Sequence, residues 1–247
     1  MLSISQLPGM QDVGGIAEQY DIPIEMTDLI FIGNYQDSKL EELKANKRCA
    51  RYTSAHGPFF DLVPCTQDQE LKKFILHRFQ KAIRWCEYLG IYKIILHTGW
   101  MPKTYPDDIW LKNSVEFWSE LLITINPDMQ VFIENVYEDT PTSIKKLIDQ
   151  IDSQQLKVCL DIGHVNANST NSLELWLKGL GNRIGHLHIH NNNGLIDDHF
   201  GLIEGTISFP QTFELFSKYC PDASWNLEVK NHIQESIELA EKYICTL

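Results

Sequence analysis

Short runs of apolar and β-branched residues recur along the chain, at 2–5, 22–26, 50–55, 93–97, 130–134, 157–161, 184–190 and 225–229. Most intervals between them carry helical periodicity. In the clearest, Leu71, Phe74, Ile75, Phe79, Ala82, Ile83, Cys86 and Leu89 share one face, and the pattern stops at Gly90, a residue suited to a left-handed C-cap. A second interval opens with Thr140 as N-cap and Pro141 in the first turn, then turns Ile144, Leu147, Ile148 and Ile151 inward. A third carries Ile233, Ile237, Ala240 and Ile244. Strands alternating with helices predict a parallel α/β sheet, because parallel neighbours need a crossover between them. Eight such strands in 247 residues predict a closed (β/α)8 barrel, a single domain over residues 1–247. No GxGxxG or GxxxxGK[ST] loop follows a strand, which removes the phosphate cradle of the open-sheet folds.

Chemistry in such a barrel belongs at the C-terminal ends of its strands. His56 follows the third strand in SAHGPFFDL, His97 ends the fourth in KIILHTGW and Glu134 ends the fifth in VFIENVYE. Asp161 ends the sixth in VCLDIGH, with His164 three residues on. The seventh carries HLHIHNNNG, followed by Asp197 and His199 in IDDHFGLIEG, and Glu228 ends the eighth in WNLEV. Any one of these alone reads as a satisfied hydrogen-bonding group. Together they are another matter, for seven of the nine histidines fall at or just after strands three to seven, leaving only His77 and His232 in helical segments. Unpaired carboxylates ending apolar strands would each cost roughly several kcal/mol, and almost no Arg or Lys lies nearby in sequence. Divalent cations are the simplest counter-charge, and mixed imidazole and carboxylate donors favour zinc, then manganese, over calcium. Alternation along the seventh strand puts His186, His188 and His190 on one face. His188 reads as the ligand, His186 as deeper support, and His190 as either a supporting residue or a substrate contact.

Composition narrows the partners. Hydrophobic residues at 43% and charged residues at 22% describe a folded globular protein and exclude disorder. A formal charge of −12 argues against coating DNA or an anionic membrane. The cysteines Cys49, Cys65, Cys86, Cys159, Cys220 and Cys245 are scattered and read as reduced, mostly buried thiols. With no signal-peptide pattern and no apolar run long enough for a membrane span, the expected location is cytoplasmic.

The ordered motifs HGPFFDL, LHTG, EN, DIGH, HLHIHN, DDHFGLIEG and LE, over roughly residues 50 to 230, resemble the xylose isomerase-like TIM-barrel superfamily. Within it they resemble the endonuclease IV branch, AP endonuclease family 2. That resemblance implies a three-metal cluster. His56, His97 and Glu134 would hold one ion; Glu134 would bridge to a second, completed by Asp161, His188 and Glu228; His164, Asp197 and His199 would hold the third. The superfamily's sugar epimerases and isomerases are similar at Glu134, Asp161, His164, His188 and Glu228, and typically use one metal. The fuller set favours phosphoester hydrolysis by metal-activated water on a small phosphorylated or sugar-derived substrate. The alternative is a sugar or sugar-phosphate isomerase or epimerase with Glu134 and Glu228 as its acid/base pair. Abasic-site DNA cleavage and a non-catalytic metal-binding barrel rank lower. A duplex needs cations on the catalytic face, and the five arginines, Arg48, Arg51, Arg78, Arg84 and Arg183, map to helices or strand starts. Lys103 and Lys230 remain, set against Asp107, Asp108, Glu138, Asp139, Asp198 and Glu204. Phe59 and Trp100 are expected to contact substrate together with Lys103, His190 and Lys230, and Tyr105 and Trp110 to belong to a lid loop, MPKTYPDD. Nothing in the sequence sets the oligomeric state. Three bound dications would halve the formal charge of −12 to about −6.

Overall fold

A computed structural model describes residues 1–7, 13–46 and 51–244. Eight strands, Leu2–Ser5 (β1), Ile24–Met26 (β2), Tyr52–His56 (β3), Lys93–His97 (β4), Gln130–Glu134 (β5), Leu156–Asp161 (β6), Ile184–Ile189 (β7) and Ser224–Leu227 (β8), run parallel and close by pairing β1 with β8. Around them lie the helices Val13–Gln19 (α1), Asp37–Ala45 (α2), Gln69–Leu89 (α3), Asp107–Leu122 (α4), Thr142–Ile151 (α5), Ile162–Asn168 (α6), Leu173–Leu180 (α7), Phe209–Tyr219 (α8) and Ile233–Ile244 (α9). A 3-10 segment, Asp28–Asn34, follows β2. This is the (β/α)8 TIM barrel expected from the alternation.

The details differ at element ends. The third strand reaches His56, and Ala50, expected to begin it, lies outside the described residues. The eighth ends at Leu227, so Glu228 stands one residue past the ladder. Pro141 occupies the cap position of α5 and Thr142 starts the helix; Thr140 Oγ1 accepts from the Thr142 N–H at 3.4 Å. Helix α3 is capped by Asp68, which accepts from the Glu70 and Leu71 N–H groups, and ends at Gly90 with φ 79°. Its buried stripe runs from Ile75 to Leu89, whereas Leu71 and Phe74 are exposed.

The main core lies between barrel and helices. Phe79 on α3 packs on Phe117 and Trp118 of α4, and Phe213 of α8 stacks on Trp225 of β8 at 5.0 Å. Trp110 is fully buried on α4, so it is not part of a lid loop; Asp107 and Asp108 form that helix's first turn, where acidic residues complement the helix dipole. Bulky branched residues usually fill a barrel interior, but here Ser3, Ser5, Glu25, Ser54, His186, His188 and Asn226 are buried polar residues on its strands. Ile95, Phe132 and Cys159 form a small separate apolar cluster.

Alternation along each strand then carries the inward face upward, from Ile95 to His97, from Phe132 to Glu134 and from Cys159 to Asp161. Strand register pairs His97 with Glu134 and Asp161 with His188. The polar layer at the top is therefore a consequence of strand period and register.

Cys65, Cys86, Cys159 and Cys220 are buried free thiols, burial pushing Cys65 up to about 12, while Cys49 and Cys245 lie outside the described residues. Among the described residues no helix is long and apolar enough to cross a membrane. Substituting Gly90→Ala forces a Cβ into the left-handed region and should lower the unfolding free energy by about 1–2 kcal/mol in a denaturant titration, with metal content unchanged.

Candidate metal centre

The top of the barrel interior gathers the strand-end carboxylates and imidazoles around Glu134. Its Oε2 lies 3.2 Å from His56 Nε2 and 3.4 Å from His97 Nε2. Its Oε1 faces His188 Nδ1 at 3.2 Å and His164 Nδ1 at 3.4 Å. His188 Nδ1 also stands 3.5 Å from Glu228 Oε2 and 3.9 Å from Asp161 Oδ2. On the remaining side Asp197 Oδ2 meets His199 Nε2 at 3.0 Å and His164 Nε2 at 3.3 Å. Two donors each about 2.1 Å from a tetrahedral ion stand about 3.4 Å apart, so most of these separations match the spacing a donor set around dications would have.

Hydrogen bonds on the outer side of the rings orient them. His56, His164 and His199 donate from Nδ1 to the backbone oxygens of Gly57, Asn135 and Glu228 at 2.9, 2.8 and 2.8 Å. A carbonyl only accepts, so Nδ1 carries the hydrogen, and Nε2 is the atom turned toward Glu134 in His56 and toward Asp197 in His164 and His199. His188 is reversed. Its Nε2 donates to Glu25 Oε1 at 2.9 Å and its Nδ1 faces inward.

Glu134 Oε2, Asp161 Oδ2, His188 Nδ1 and Asp197 Oδ1 are buried and have no hydrogen-bond partner among the described residues. Leaving such atoms unsatisfied is costly, and dications bound among them would satisfy them. Without one, imidazolium supplies the counter-charge. Burial resists ionisation of Glu134, yet His188, His97 and His56 outweigh it and hold its carboxyl well below the usual range. Burial likewise disfavours charge on His164 and His188, and the facing carboxylates push both well above an ordinary histidine.

Most of the expected residues border one cavity of about 710 Å³, lined by His56, His97, Glu134, His164, Asp197, His199, Glu228, Phe59, Trp100 and Lys230. Asp161 and His188 are fully buried and absent from its lining. His190 differs from the substrate-contact expectation. It is fully buried, its Nε2 lies 3.2 Å from Asp161 Oδ1 and 3.4 Å from Asp197 Oδ1, and its ring stacks on His199 at 4.1 Å. A Cβ on Gly163 would come within 1.9 Å of that ring, so the glycine of DIGH makes room for it. Lys103 is exposed and does not line the cavity, which leaves Lys230 as the single Lys or Arg there among the described residues. Glu138 is buried rather than a charge at the mouth; burial raises its carboxyl, which accepts from Thr98 Oγ1 and the Val136 N–H. His186 donates to Glu25, His77 is exposed on α3, and His232 precedes α9, paired with Glu204 and Glu235.

Sequence reasoning missed Glu25. Fully buried on β2, it lies within hydrogen-bonding distance of His186, His188, Ser54 and Asn226. Its signal was a carboxylate inside the apolar run IPIEMT, the same feature that marks Glu134 and Asp161. Asn135, seen only as part of EN, ties β5 to β6, accepting from the Asp161 N–H at 2.9 Å and donating to the Asp161 carbonyl at 3.0 Å.

The profile of the family described as xylose isomerase-like TIM barrel matches residues 18–243. The chain is 30% identical over 198 residues to protein MJ1311 of Methanocaldococcus jannaschii, covering 75% of this chain and 67% of that one. It is 29% identical over 174 residues to a probable endonuclease 4 of Ureaplasma urealyticum, 62% of this chain and 57% of the relative. A probable AP endonuclease of African swine fever virus is 27% identical over 232 residues, 82% of this chain and 76% of that one. Among solved structures, a D-tagatose 3-epimerase-like protein superposes with a TM-score of 0.81 at 22% identity, covering 99% of this chain and 97% of that one. A zinc-soaked protein of Thermus thermophilus superposes with a TM-score of 0.78 at 19% identity, covering 100% and 98%.

Glu25→Ala removes the acceptor behind His188 and should weaken zinc binding about 10- to 100-fold in chelator competition. It should also destabilise the metal-free protein by about 3–5 kcal/mol. Because the raised His164 and His188 protonate on folding, their stabilisation of the metal-free protein is full below about pH 6.5 and is lost as pH rises through their raised values. Zinc displaces those protons, so across the same rise its affinity, read by calorimetry, should increase while the melting temperature of the metal-free protein falls.

Proposed function

Since the chain belongs to the xylose isomerase-like TIM barrel family, we propose that it is a metal-dependent phosphoester hydrolase acting on a small substrate. Its centre takes two or three divalent ions, zinc first and manganese second. The observation that carries this reading is the donor set beyond a single site. His188 Nδ1 with Glu134, Asp161 and Glu228 already supplies four donors. His56 and His97 stand on the other oxygen of Glu134, and His164, Asp197 and His199 form a further group. A one-metal enzyme has no need of His56, His97, Asp197 and His199. The endonuclease names of two relatives and the zinc soaked into one similar structure point the same way.

Bound dications supply a low-pKa water and stabilise charge on the attacking and leaving oxygens of the displacement. The chain's own part is orientation. Glu134, with its two oxygens turned to different imidazoles, orients the attacking water. Water's oxygen bonds to phosphorus as the phosphorus–oxygen bond to the alcohol breaks, and the alcohol leaves with a proton from that water. Lys230 is the side chain that pairs with a phosphate oxygen. One lysine and a cavity of about 710 Å³ suit a small phosphoester rather than a duplex.

A one-metal sugar epimerase is the second reading, favoured by the completeness of the four donors around His188 Nδ1. Glu134 and Glu228 would then exchange a proton with the sugar carbon. Metal analysis of protein purified without chelator should give two or three equivalents, and His199→Ala should abolish cleavage of bis(4-nitrophenyl) phosphate. One equivalent after reconstitution, with ketosugar epimerisation surviving His199→Ala, would replace hydrolysis by epimerisation.

A further inference from the structure

We propose that the phosphoester bound here carries a flat aromatic ring, an aryl group or a nucleobase, held on the wall formed by Phe31, Phe59 and Phe60. The phosphoester half of this statement rests on the hydrolytic reading; the ring half rests on the wall itself. Phe59 lies flat against the ring of His97, centroids 4.2 Å apart at 12°, so the wall begins at the metal donors. Phe60 continues it at 4.2 Å from Phe59, and Phe31, from the 3-10 segment after β2, stacks on Phe60 at 5.9 Å and 25°. All three line the cavity, yet Phe60 is 58% and Phe31 39% exposed. Large aromatic faces left in water beside a donor cluster are surface that a ligand ring would cover.

The rest of the lining argues against a bare sugar. Apart from the metal donors, its polar side chains are Asp61, Trp100, Tyr137, Asn168 and Lys230. A sugar presents a hydroxyl on nearly every carbon, and hydroxyls facing Ile30, Leu62, Val63 and Met101 would lose water without gaining partners. A ring needs no such partners. Stacking on aromatic side chains accepts any base or aryl face and depends little on its substituents. The cavity volume of about 710 Å³ falls within the range of sites for one small molecule, about 300–1,000 Å³.

Two ligands that share a phosphate and a ribose but differ in the ring separate these possibilities. Calorimetry on the zinc-loaded protein should find adenosine 5′-monophosphate bound at least about tenfold more tightly than ribose 5-phosphate, in line with the stacking contribution of a single base. Phe60→Ala and Phe31→Ala, at exposed positions where folding is not at stake, should each cut that preference while leaving ribose 5-phosphate binding as it was. Equal affinity for the two ligands, or a preference that survives both substitutions, would overturn the assignment. Hydrolysis is scored separately. Ring preference without phosphodiester turnover upholds the wall and removes the hydrolytic reading, whereas turnover without ring preference removes the wall.

Discussion

A carboxylate buried at the centre of a barrel and faced by imidazoles on both of its oxygens is the constraint from which the rest of this structure follows. Glu134 is almost wholly inaccessible, and no Arg or Lys among the described residues reaches it. A permanent guanidinium would have neutralised it once and for all. Imidazoles hold the charge only while they keep their protons, and once those protons leave, the freed nitrogens are donors of the kind a dication takes. On the proposed metal-dependent reading, the choice of histidine makes the site a place where protons and metal ions compete.

Holding such a cluster requires a frame that decides which ring nitrogen faces inward. The backbone carbonyl of the adjacent Gly57 does this for His56, carbonyls at the ends of neighbouring strands do it for His164 and His199, and Glu25 does it for His188. Glu25 has no contact with solvent, and its own oxygens are satisfied by Ser54, Asn226 and the two histidines. The polar barrel interior is thus the support of the candidate metal donors from below. His199 adopts a left-handed backbone, φ 57°, braced by the Lys230 N–H on its carbonyl and by the Glu228 carbonyl on its ring. Local strain there is offset by the contacts that aim the ring.

Much of this was legible in the chain because two periodicities do the placing. The period of two along β4, β5 and β6 lifts His97, Glu134 and Asp161 to the same end of the barrel as the seventh-strand histidines, and strand ends were readable from apolar runs. What escaped lay where those periods lapse. His190 stands past Ile189, the last ladder residue, so alternation no longer governed its direction. Lys103 sits in a loop with φ 62°, a conformation that spacing does not announce. Trp110 was placed in a loop because Pro106 and two aspartates look like a turn, when they open α4. Glu25 escaped because it sits inside the second strand rather than at its end, with no histidine beside it in sequence to draw attention to it.

The functional reading joins a donor set larger than one ion needs to an aromatic wall that begins at one of its members, His97. Everything in it depends on more than one dication sharing Glu134. Diffraction from zinc-loaded crystals at the zinc absorption edge tests this most directly. The account predicts at least two anomalous peaks on either side of the Glu134 carboxylate, one bounded by His56 and His97 and the other by Asp161, His188 and Glu228. A single peak among Glu134, Asp161, His188 and Glu228, with His56 and His97 holding no ion at saturating zinc, would contradict it.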